Sequence, residues 1–305
     1  MTQLEIIKET KDFRIKDGTA VTIGKFDGVH MGHKKLISAC MIKKQQGLKV
    51  CVFTFSPSPE NFFGADERCL TTTAEKRRVF AELGVDILVE YPFDKETADT
   101  PPEDFIRDIL CGKLNARYIA AGSDLSYGIR GEGDSKLLLS LCDKFGYEAD
   151  IIDKVKIDGD IVSSTLIRDA IKNSDMERAC AYLGAPYQIT GEIVHGNKIG
   201  RTIGMPTINQ IPDEEKLLPP FGVYYSEAEI EGKVFKGITN IGVKPTVSDE
   251  HKVTVETFLY NFNQDVYGNR AGVRLLGFLR PEMKFNSIDE LKAQMKKDIE
   301  AGFRR

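Results

Sequence analysis

The chain has 305 residues, of which 41% are hydrophobic and 29% charged, and this composition is typical of a folded protein with two domains. Its formal net charge of −4 argues against a general nucleic-acid binder, which would carry a basic excess. No apolar run approaches transmembrane length, and the charged start MTQLEIIKETKDF has no apolar signal core. The six cysteines form no CxxC pair, which favours free thiols in a reducing compartment. We therefore expect a cytoplasmic protein without nucleic-acid or membrane partners.

The first predicted element is a β-strand that leads through a glycine-rich turn into a helix, in the stretch VTIGKFDGVHMGHKKLI from Val21 to Ile37. Its glycines allow the backbone to turn tightly and to approach a ligand closely. A helix that begins near His30 aims unpaired N–H groups and a partial positive charge at one point. Together with the imidazoles of His30 and His33, this arrangement predicts a phosphate site. The glycine framing disfavours the alternative of two surface histidines at a helix start.

Strands alternate with helices in the stretch that follows. The predicted helices cover Lys34–Gln46, Thr73–Leu83, Pro102–Leu110 and Ser135–Phe145. The predicted strands cover Lys49–Phe55, Asp86–Tyr91, Arg117–Ala121 and Ala149–Val155, and Ile157–Val162 is able to pair with the last of them. Such alternation predicts an α/β, Rossmann-like domain with a parallel sheet and helices on both faces. Ligands bind these sheets at the carboxyl ends of the strands, where the strand order reverses.

Two further helices are predicted at Ser163–Asn173 and Met176–Leu183, after which Gly184-Ala185-Pro186 ends the pattern. The period then changes to alternation, with predicted strands at Gln188–Val194, Gly222–Ile230, Lys233–Asn240, Val253–Tyr260 and Gly272–Phe278. Glu231-Gly232 is predicted to form a tight hairpin turn, and Ser287–Glu300 an amphipathic helix. We therefore predict an α/β domain at residues 1–184 and a small antiparallel β-barrel with a C-terminal helix at residues 185–305.

Two more stretches of the first domain are candidates for ligand contact. The stretch SSTLIR, from Ser163 to Arg168, places hydroxyls at a helix start, where they are usually N-caps. Arg168 lies one turn into this helix, so its guanidinium is able to reach the same anion, and such a fork suits a leaving pyrophosphate. The glycine-rich stretch AGSDLSYGIRGEGD is either a ligand loop, which we favour, or a flexible connection.

Two polar patterns stand out in the second domain. Thr207 and Asn209 flank one residue, so in an extended chain both point to one face, where their oxygens could complete a Mg²⁺ shell. The alternative is a polar strand edge, which the residues by themselves favour. By alternation Glu256 shares a strand face with Phe258 and Tyr260, and a carboxylate among aromatic residues is costly to bury. Glu256 is therefore either a functional carboxylate or part of a solvated strand face, and the pattern alone leaves both interpretations open.

The order of motifs along the chain resembles a known family. GKFDGVHMGH, LTTTAEK, GSDLSYG and SSTLIR are similar to the FMN adenylyltransferase domain of bacterial bifunctional riboflavin kinase/FAD synthetases. The second domain is similar to the riboflavin kinase module of the same family, through GRTIGMPTIN, FGVYYSEAEI, GITNIGVKPTV, VETFLYNFNQDVYG and FLRPEMKFNSIDELKAQMKKDI. The resemblance covers nearly the whole chain, and the combination of motifs is specific although each motif alone is not.

The resemblance implies an enzyme of FAD biosynthesis that uses ATP as co-substrate and Mg²⁺ in both steps. The second domain would phosphorylate riboflavin to FMN, and the first would adenylylate FMN to FAD with release of pyrophosphate. The implied catalytic residues are His30, His33, Arg168 and Glu256, and the implied metal ligands are Thr207 and Asn209. The implied flavin contacts are Pro57, Asp124, Tyr127 and Arg280. The implied ATP and phosphate contacts are Gly24, Phe26, Asp27, Gly28, Gly32, Ser163, Ser164, Thr165, Gly196, Lys198, Gly200 and Arg201.

Two loops depart from the family pattern. An FDPHP-like segment is FSPSP here, and in the GxDFxFG loop Leu125 and Tyr127 stand in place of phenylalanines. Because these loops are expected to touch the flavin and the adenine, one alternative is that a single activity is retained, with the kinase favoured. Another alternative is a flavin-sensing binding protein. We expect only small-molecule partners, namely riboflavin, FMN and ATP, and a monomer or weak oligomer.

Overall fold

The computed structural model describes residues 3–65, 67–196, 200, 204–244 and 252–304. The chain divides into two compact units, residues 1–163 and 164–305. The two helices between residues 164 and 183 belong to the second unit, and the second of them packs on strands of that unit. The boundary predicted at residue 184 from the change of sequence pattern therefore lies after the division between residues 163 and 164, which follows from the packing of the chain. In the described part of the chain, no helix combines the length and the apolar character needed to cross a membrane.

The first unit is built on a parallel six-stranded sheet, which confirms the predicted fold class. Its strands lie in the order β1-β4-β3-β2-β5-β8, so the order reverses between β2 and β5. The small hairpins β6/β7 and β9/β10 pair outside this sheet. The strands are β1 (Glu5–Lys8), β2 (Thr19–Ile23), β3 (Lys49–Ser56), β4 (Ile87–Pro92), β5 (Ala116–Gly122), β6 (Ser126–Tyr127), β7 (Gly133–Asp134), β8 (Glu148–Ile152), β9 (Lys156–Ile157) and β10 (Asp160–Ile161).

Each predicted helix of this unit coincides with helical structure, but Ser135–Phe145 is divided into two short helices, and the helices Pro59–Phe62 and Lys95–Ala98 were not predicted. The predicted helix Pro102–Leu110 begins as a short α-helix and continues as a π-helix, Phe105–Lys113. The α-helices are α1 (Met31–Lys44), α2 (Pro59–Phe62), α3 (Thr73–Glu82), α4 (Lys95–Ala98), α5 (Pro102–Asp104), α6 (Ser135–Ser140) and α7 (Cys142–Phe145), and a 3₁₀ turn covers Ile129–Gly131.

The sheet is buried on both faces because successive residues of its strands point to opposite sides. Val21, Phe53 and Ile119 belong to one hydrophobic cluster, which includes the apolar face of the π-helix. Their neighbours Ala20 and Val52 belong to the other cluster, which includes Ile37 and Cys40 of α1 and Phe80 of α3. This double burial explains why the strand sequences are continuous apolar runs.

The second unit contains a closed six-stranded antiparallel barrel in the order β11-β12-β15-β14-β13-β16. Glu231 and Gly232 form the predicted hairpin turn, with left-handed φ values of 50° and 75°. Inside the barrel, the Thr239 hydroxyl is hydrogen-bonded to Ser226 and Thr257, both at 2.8 Å. The elements are α8 (Ser164–Lys172), α9 (Met176–Leu183), β11 (Tyr187–Val194), β12 (Thr207–Gln210), β13 (Gly222–Ile230), β14 (Lys233–Lys244), β15 (Lys252–Leu259), β16 (Arg270–Pro281) and the C-terminal helix α10 (Ile288–Phe303).

Replacing Phe53 by alanine tests the packing of the sheet beneath the first site. The ring is fully buried and lies 5.8 Å from the ring of Phe105, measured between centroids. We expect Phe53→Ala to lower the free energy of unfolding of the first unit by about 3–5 kcal/mol, because it removes a buried aromatic ring and leaves a cavity. Phe63 is 73% exposed, so Phe63→Ala is the matched control and should change this free energy little. Equal effects in chemical denaturation would contradict the assignment of the core.

Candidate functional site

The turn between β2 and α1 has an unusual backbone. Phe26, Gly28 and Val29 are left-handed, with φ values of 52°, 86° and 43°. This region favours glycine and strains residues that carry a side chain. The buried ring of Phe26 packs edge-on against the ring of Phe80 at 5.5 Å, and the Gly24 amide donates to strand β3 at 3.2 Å. Packing within the protein therefore sets the shape of this turn before a ligand binds.

Asp27 joins the turn to the motif LTTTAEK. Its Oδ1 atom accepts hydrogen bonds from the amides of Leu70 and Thr71, at 2.8 and 3.3 Å. In return, the Thr71 hydroxyl accepts a hydrogen bond from the Gly28 amide at 3.0 Å. The same motif begins α3 with a capping box. Through these contacts Asp27 fixes the backbone of the LTTTAEK motif beside the turn, which explains why the two motifs occur together.

His30 is the N-cap of α1. Its Nδ1 atom accepts hydrogen bonds from the amides of Gly32 at 3.1 Å and His33 at 3.4 Å. A Cβ atom on Gly32 would lie 3.0 Å from the His30 ring, so glycine leaves the ring room to cap the helix. Because Nδ1 accepts, a neutral His30 carries its proton on Nε2 and donates from there.

His33 stacks on His30, with ring centroids 3.7 Å apart. Burial lowers the pKa of His30 to about 4, and the charge of Asp124 opposes this shift. Burial, followed by the charges of His30 and Lys76, lowers the pKa of His33 well below its ordinary value. Among the described residues, the buried Nδ1 atom of His33 has no hydrogen-bond partner. Both imidazoles are therefore neutral near pH 7.

The position of this turn in the sheet is the one expected for a ligand site. It follows β2, which lies beside β5 where the strand order reverses. The loop after β5 carries Asp124, whose carboxylate pairs with Lys154 at 2.9 Å. The first turn of α1 has no acidic residue, so its N-terminal charge is left for a ligand. The influence of Lys76 on His33 adds a cation near the site, and sequence analysis missed this residue although its motif was recognised.

The glycine-rich stretch after β5 is an ordered hairpin. Tyr127 pairs with Gly133, and the Ile129 amide donates to the Thr100 carbonyl at 2.7 Å. The Tyr127 ring is only 5% exposed and packs 5.6 Å from the ring of Phe105 in the core. Burial raises the pKa of Tyr127, and its hydroxyl has no partner among the described residues. Tyr127, expected to contact flavin, is thus a core residue, and the stretch is not a flexible connection.

Pro57 lies after β3 and follows a cis peptide bond with Ser56. The short helix α2 comes next and ends in two exposed aromatic residues, Phe62 at 39% and Phe63 at 73% exposure. Their rings lie 5.2 Å apart, and the Phe62 ring lies 5.3 Å from that of Phe93. This exposed aromatic cluster was not predicted, although two adjacent phenylalanines in a polar loop are a visible signal in the sequence.

Helix α8 begins at Ser164, as the SSTLIR motif predicts. Ile167 and Ala170 are on its buried face. Ser164 and Arg168 are one turn apart and half-buried, so they share a neighbouring face of the helix. Of the other hydroxyl residues predicted here, Ser163 is half-buried and Thr165 exposed.

In the second unit, several predicted residues line a single cavity of about 270 Å³. They are Gly200, Thr207, Asn209, Glu256 and Arg280. The cavity lies on the outer face of the barrel, against helix α10. Its apolar wall comes mainly from the end of the chain and includes Met283, Phe285, Leu291, Met295 and Ile299.

Two glycines lie close to the predicted metal ligands. A Cβ atom on Gly196 would approach the side chain of Asn209 to 2.6 Å. A Cβ atom on Gly200 would meet the Met205 carbonyl and would lie 3.6 Å from the Thr207 hydroxyl. Glycine therefore avoids a clash with the Asn209 side chain at position 196 and with the Met205 carbonyl at position 200. Of the predicted residues of this loop, Lys198 and Arg201 lie outside the described residues.

Strand register places Glu256 between two amides. Glu256 of β15 is the Cα partner of Asn209 on β12 and of Asn240 on β14. Its neighbours Val255 and Thr257 point into the barrel and are fully buried, which confirms the predicted alternation of this strand. Asn240 also lines the cavity, and sequence analysis missed it because only the pairing of the strands brings it to Glu256.

Arg280 is engaged by the protein itself. Its Nε and Nη2 atoms donate to the Asp298 carboxylate of α10, with shortest distances of 3.0 and 2.7 Å, and its Nη1 atom donates to the Pro281 carbonyl at 2.9 Å. The ion pair is largely buried, with side-chain exposures of 17% for Arg280 and 7% for Asp298. The described contacts thus assign the guanidinium to the C-terminal helix, where sequence analysis expected a flavin contact.

Comparison with known proteins identifies the family. A bifunctional riboflavin kinase/FMN adenylyltransferase from Bacillus subtilis is 37% identical over 293 residues, which cover 94% of this chain and 92% of that protein. The protein of the same name from Escherichia coli (strain K12) is 36% identical over 287 residues, with coverage of 93% and 91%. The family model for FAD synthetase matches residues 12–166, and that for riboflavin kinase matches residues 183–304.

The chain belongs to the bifunctional riboflavin kinase/FMN adenylyltransferase family. Its two matched regions are the FAD synthetase and riboflavin kinase modules, so it is an enzyme of FAD synthesis that carries both activities. A crystal structure from Streptococcus pneumoniae, described as a macrolide-efflux protein, has the same fold over 97% of both chains, with a TM-score of 0.86 and 31% identity. That description belongs to the pneumococcal protein.

Two substitutions of His30 separate its structural role from its chemical role. The side-chain oxygen of asparagine is also able to cap α1, whereas alanine is not, so only His30→Ala should lose about 1 kcal/mol of stability. Both variants lack the Nε2–H donor, and we expect both to lower the rate of FAD formation from FMN by about 10²–10³-fold. Thermal unfolding and chromatographic measurement of FAD check the two expectations. Full activity of His30→Asn would show that the imidazole is needed only as a cap.

The buried histidines also predict how stability depends on pH. Burial lowers the folded-state pKa of His30 from 6.5 to about 4, so the unfolded chain binds protons first as the pH falls. The contribution of neutral His30 to the free energy of unfolding is fully present above pH 6.5 and is lost as the pH falls towards 4. Between these limits we expect the melting temperature of the wild type to fall more than that of His30→Asn/His33→Asn. Parallel curves for the two proteins would contradict neutral burial of the histidines.

Proposed function

We propose that each module uses its own site: the cavity of the second unit phosphorylates riboflavin, and the turn at His30 and His33 adenylylates FMN. The observation that carries this proposal is the convergence of Thr207, Asn209 and Glu256 on one cavity of a size suited to a small substrate. Glu256 is far from Thr207 and Asn209 in sequence, so its position beside them supports one chemical role.

In the kinase reaction, the primary ribityl hydroxyl of riboflavin attacks the γ-phosphorus of ATP. The hydroxyl proton passes to the carboxylate of Glu256, the new P–O bond forms, and the bond to ADP breaks. The amides of Asn209 and Asn240 stand beside Glu256 on the neighbouring strands and help to orient it. The isoalloxazine ring is apolar enough to lie against the wall that includes Met295 and Ile299.

Mg²⁺ fits the residues at this cavity. Thr207 and Asn209 supply neutral oxygen ligands, and glycine at position 196 lets the backbone pass close to the side chain of Asn209. Phosphate oxygens and water would provide the remaining ligands, and the ion would supply charge screening for the phosphates of ATP. We assign the same need for Mg²⁺ to the adenylylation step on the basis of the family resemblance.

In the adenylylation reaction, a phosphate oxygen of FMN attacks the α-phosphorus of ATP, and the bond to the leaving pyrophosphate breaks. No covalent enzyme intermediate is needed. The Nε2–H group of His30 and the imidazole of His33 donate hydrogen bonds to oxygens on which charge builds, and the positive end of the α1 dipole stabilises the same charge. We assign Arg168 and the hydroxyls of residues 163–165 to the pyrophosphate, and the SSTLIR motif supports this role.

The FMN site of the first unit is assigned to the surface after β3. Pro57 begins this segment, and the exposed rings of Phe62 and Phe63 are suited to stacking with a flavin. Asp124, whose charge raises the pKa of His30, is the acidic residue on the neighbouring loop.

We further propose a cytoplasmic enzyme that is a monomer or weak oligomer, with a module boundary near residue 184. The riboflavin kinase match begins at residue 183, which supports this boundary.

Glu256→Gln tests the division between the sites. The substitution keeps the shape of the side chain but removes the proton acceptor, so we expect FMN formation from riboflavin to fall by about 10²–10⁴-fold. FAD formation from added FMN should stay within about twofold of the wild type. The test incubates the full chain with ATP, Mg²⁺ and either flavin, and separates riboflavin, FMN and FAD by chromatography.

The same assay separates the alternatives. Wild-type protein that makes FMN but no FAD would support retention of the kinase alone. Flavin binding without turnover would support a sensor. If Glu256→Gln reduced both activities equally in a folded protein, the proposed division of sites would be wrong.

A further inference from the structure

Helix α10 forms one wall of the riboflavin cavity but is held mainly near its C-terminal end. The Tyr260 hydroxyl donates to the Ile299 carbonyl at 2.6 Å, and the rings of Tyr260 and Phe303 lie 5.8 Å apart. Gly302 lies so close to Ile238 and Tyr260 that it leaves no room for a Cβ atom. Leu291 and Met295, which line the cavity, belong to the earlier turns of the helix.

The Arg280–Asp298 pair lies between these two parts of the helix. Asp298 accepts from the Nε and Nη2 atoms of Arg280 and also from the Gln294 amide at 2.9 Å. It is the one buried residue that the structure assigns to α10, and Arg280 comes from the end of β16. A fork that meets both carboxylate oxygens restricts rotation about the helix axis, which apolar contacts alone do not.

We propose that Arg280 is a positioning residue for riboflavin binding, which acts through Asp298 and not by contact with the flavin. The ion pair fixes the rotation of α10 about its axis and its position along that axis. It therefore determines whether the apolar side chains of Leu291 and Met295 face the cavity. This inference rests on the proposed assignment of the cavity to riboflavin.

The geometry favours this role over direct recognition. Three nitrogen atoms of the guanidinium already donate to protein oxygens, so binding a flavin with Arg280 would require part of this network to break. A buried ion pair is also a poor source of net stability, because both charges lose their hydration. Its orientation-dependent bonds are instead suited to holding one of several possible helix positions.

The test compares Arg280→Lys, Asp298→Asn and the variant with both changes in the full chain. Each single change weakens the fork, so we expect the KM for riboflavin to rise at least fivefold, with the KM for ATP and kcat within twofold. The KM for riboflavin of the double variant should be no more than twofold above that of either single variant, because both changes weaken the same ion pair. Lys297→Ala, on the exposed face beside Asp298, is the control and should leave all constants unchanged.

Other outcomes would overturn the proposal. If Arg280→Lys raised the riboflavin KM while Asp298→Asn did not, Arg280 would be a direct flavin ligand. If the effects of the single changes multiplied in the double variant, the residues would act independently. Should the charge variants fail to fold, Gln294→Ala provides the milder test, and an unchanged riboflavin KM in it would also reject the proposal. Failure of the wild type to phosphorylate riboflavin would instead reject the assigned function.

Discussion

The hydrogen bonds from the first amides of α1 to Nδ1 of His30 are the interaction on which the first site depends. They orient the ring, leave the proton of the neutral imidazole on Nε2, and require a glycine at position 32. The stack with His33 and the burial of both rings follow from this arrangement. The cap is reached through a left-handed turn that is held by the buried ring of Phe26. Core packing therefore controls the position of the donors that we assign to the phosphates.

The second site depends on a different constraint, which is the register of an antiparallel barrel. Because β12, β15 and β14 are neighbours, Asn209, Glu256 and Asn240 form a row across three strands. The opposite face of these strands is sealed by buried side chains and by the hydroxyl network of Thr239. The barrel thus acts as a rigid support for polar groups on its outer face, while the C-terminal segment supplies the apolar wall.

The departures from the family pattern have different physical meanings. In GSDLSYG, Leu125 packs against the core and Tyr127 lies within it, so both substitutions fall on packing positions. The buried tyrosine hydroxyl is without a partner in the described part of the chain, which is a cost to stability. In FSPSP, by contrast, the substituted positions 56 and 58 are on a surface segment beside exposed aromatic rings. We therefore expect the substitutions in FSPSP, and not those in GSDLSYG, to affect flavin binding.

The sequence by itself determined the local features, because they depend on neighbouring residues. The glycine-rich turn, the start of α1 and the outward face of Glu256 follow from turn chemistry and from periods of 3.6 and 2 residues. The short edge strand β1 was not predicted, because its four residues gain their strand structure from pairing with β4. Only the tertiary structure showed that Asn240 stands beside Glu256, that Tyr127 is in the core and that Arg280 holds α10. Each of these depends on residues brought together from distant parts of the chain, and no local pattern encodes which partner a side chain meets.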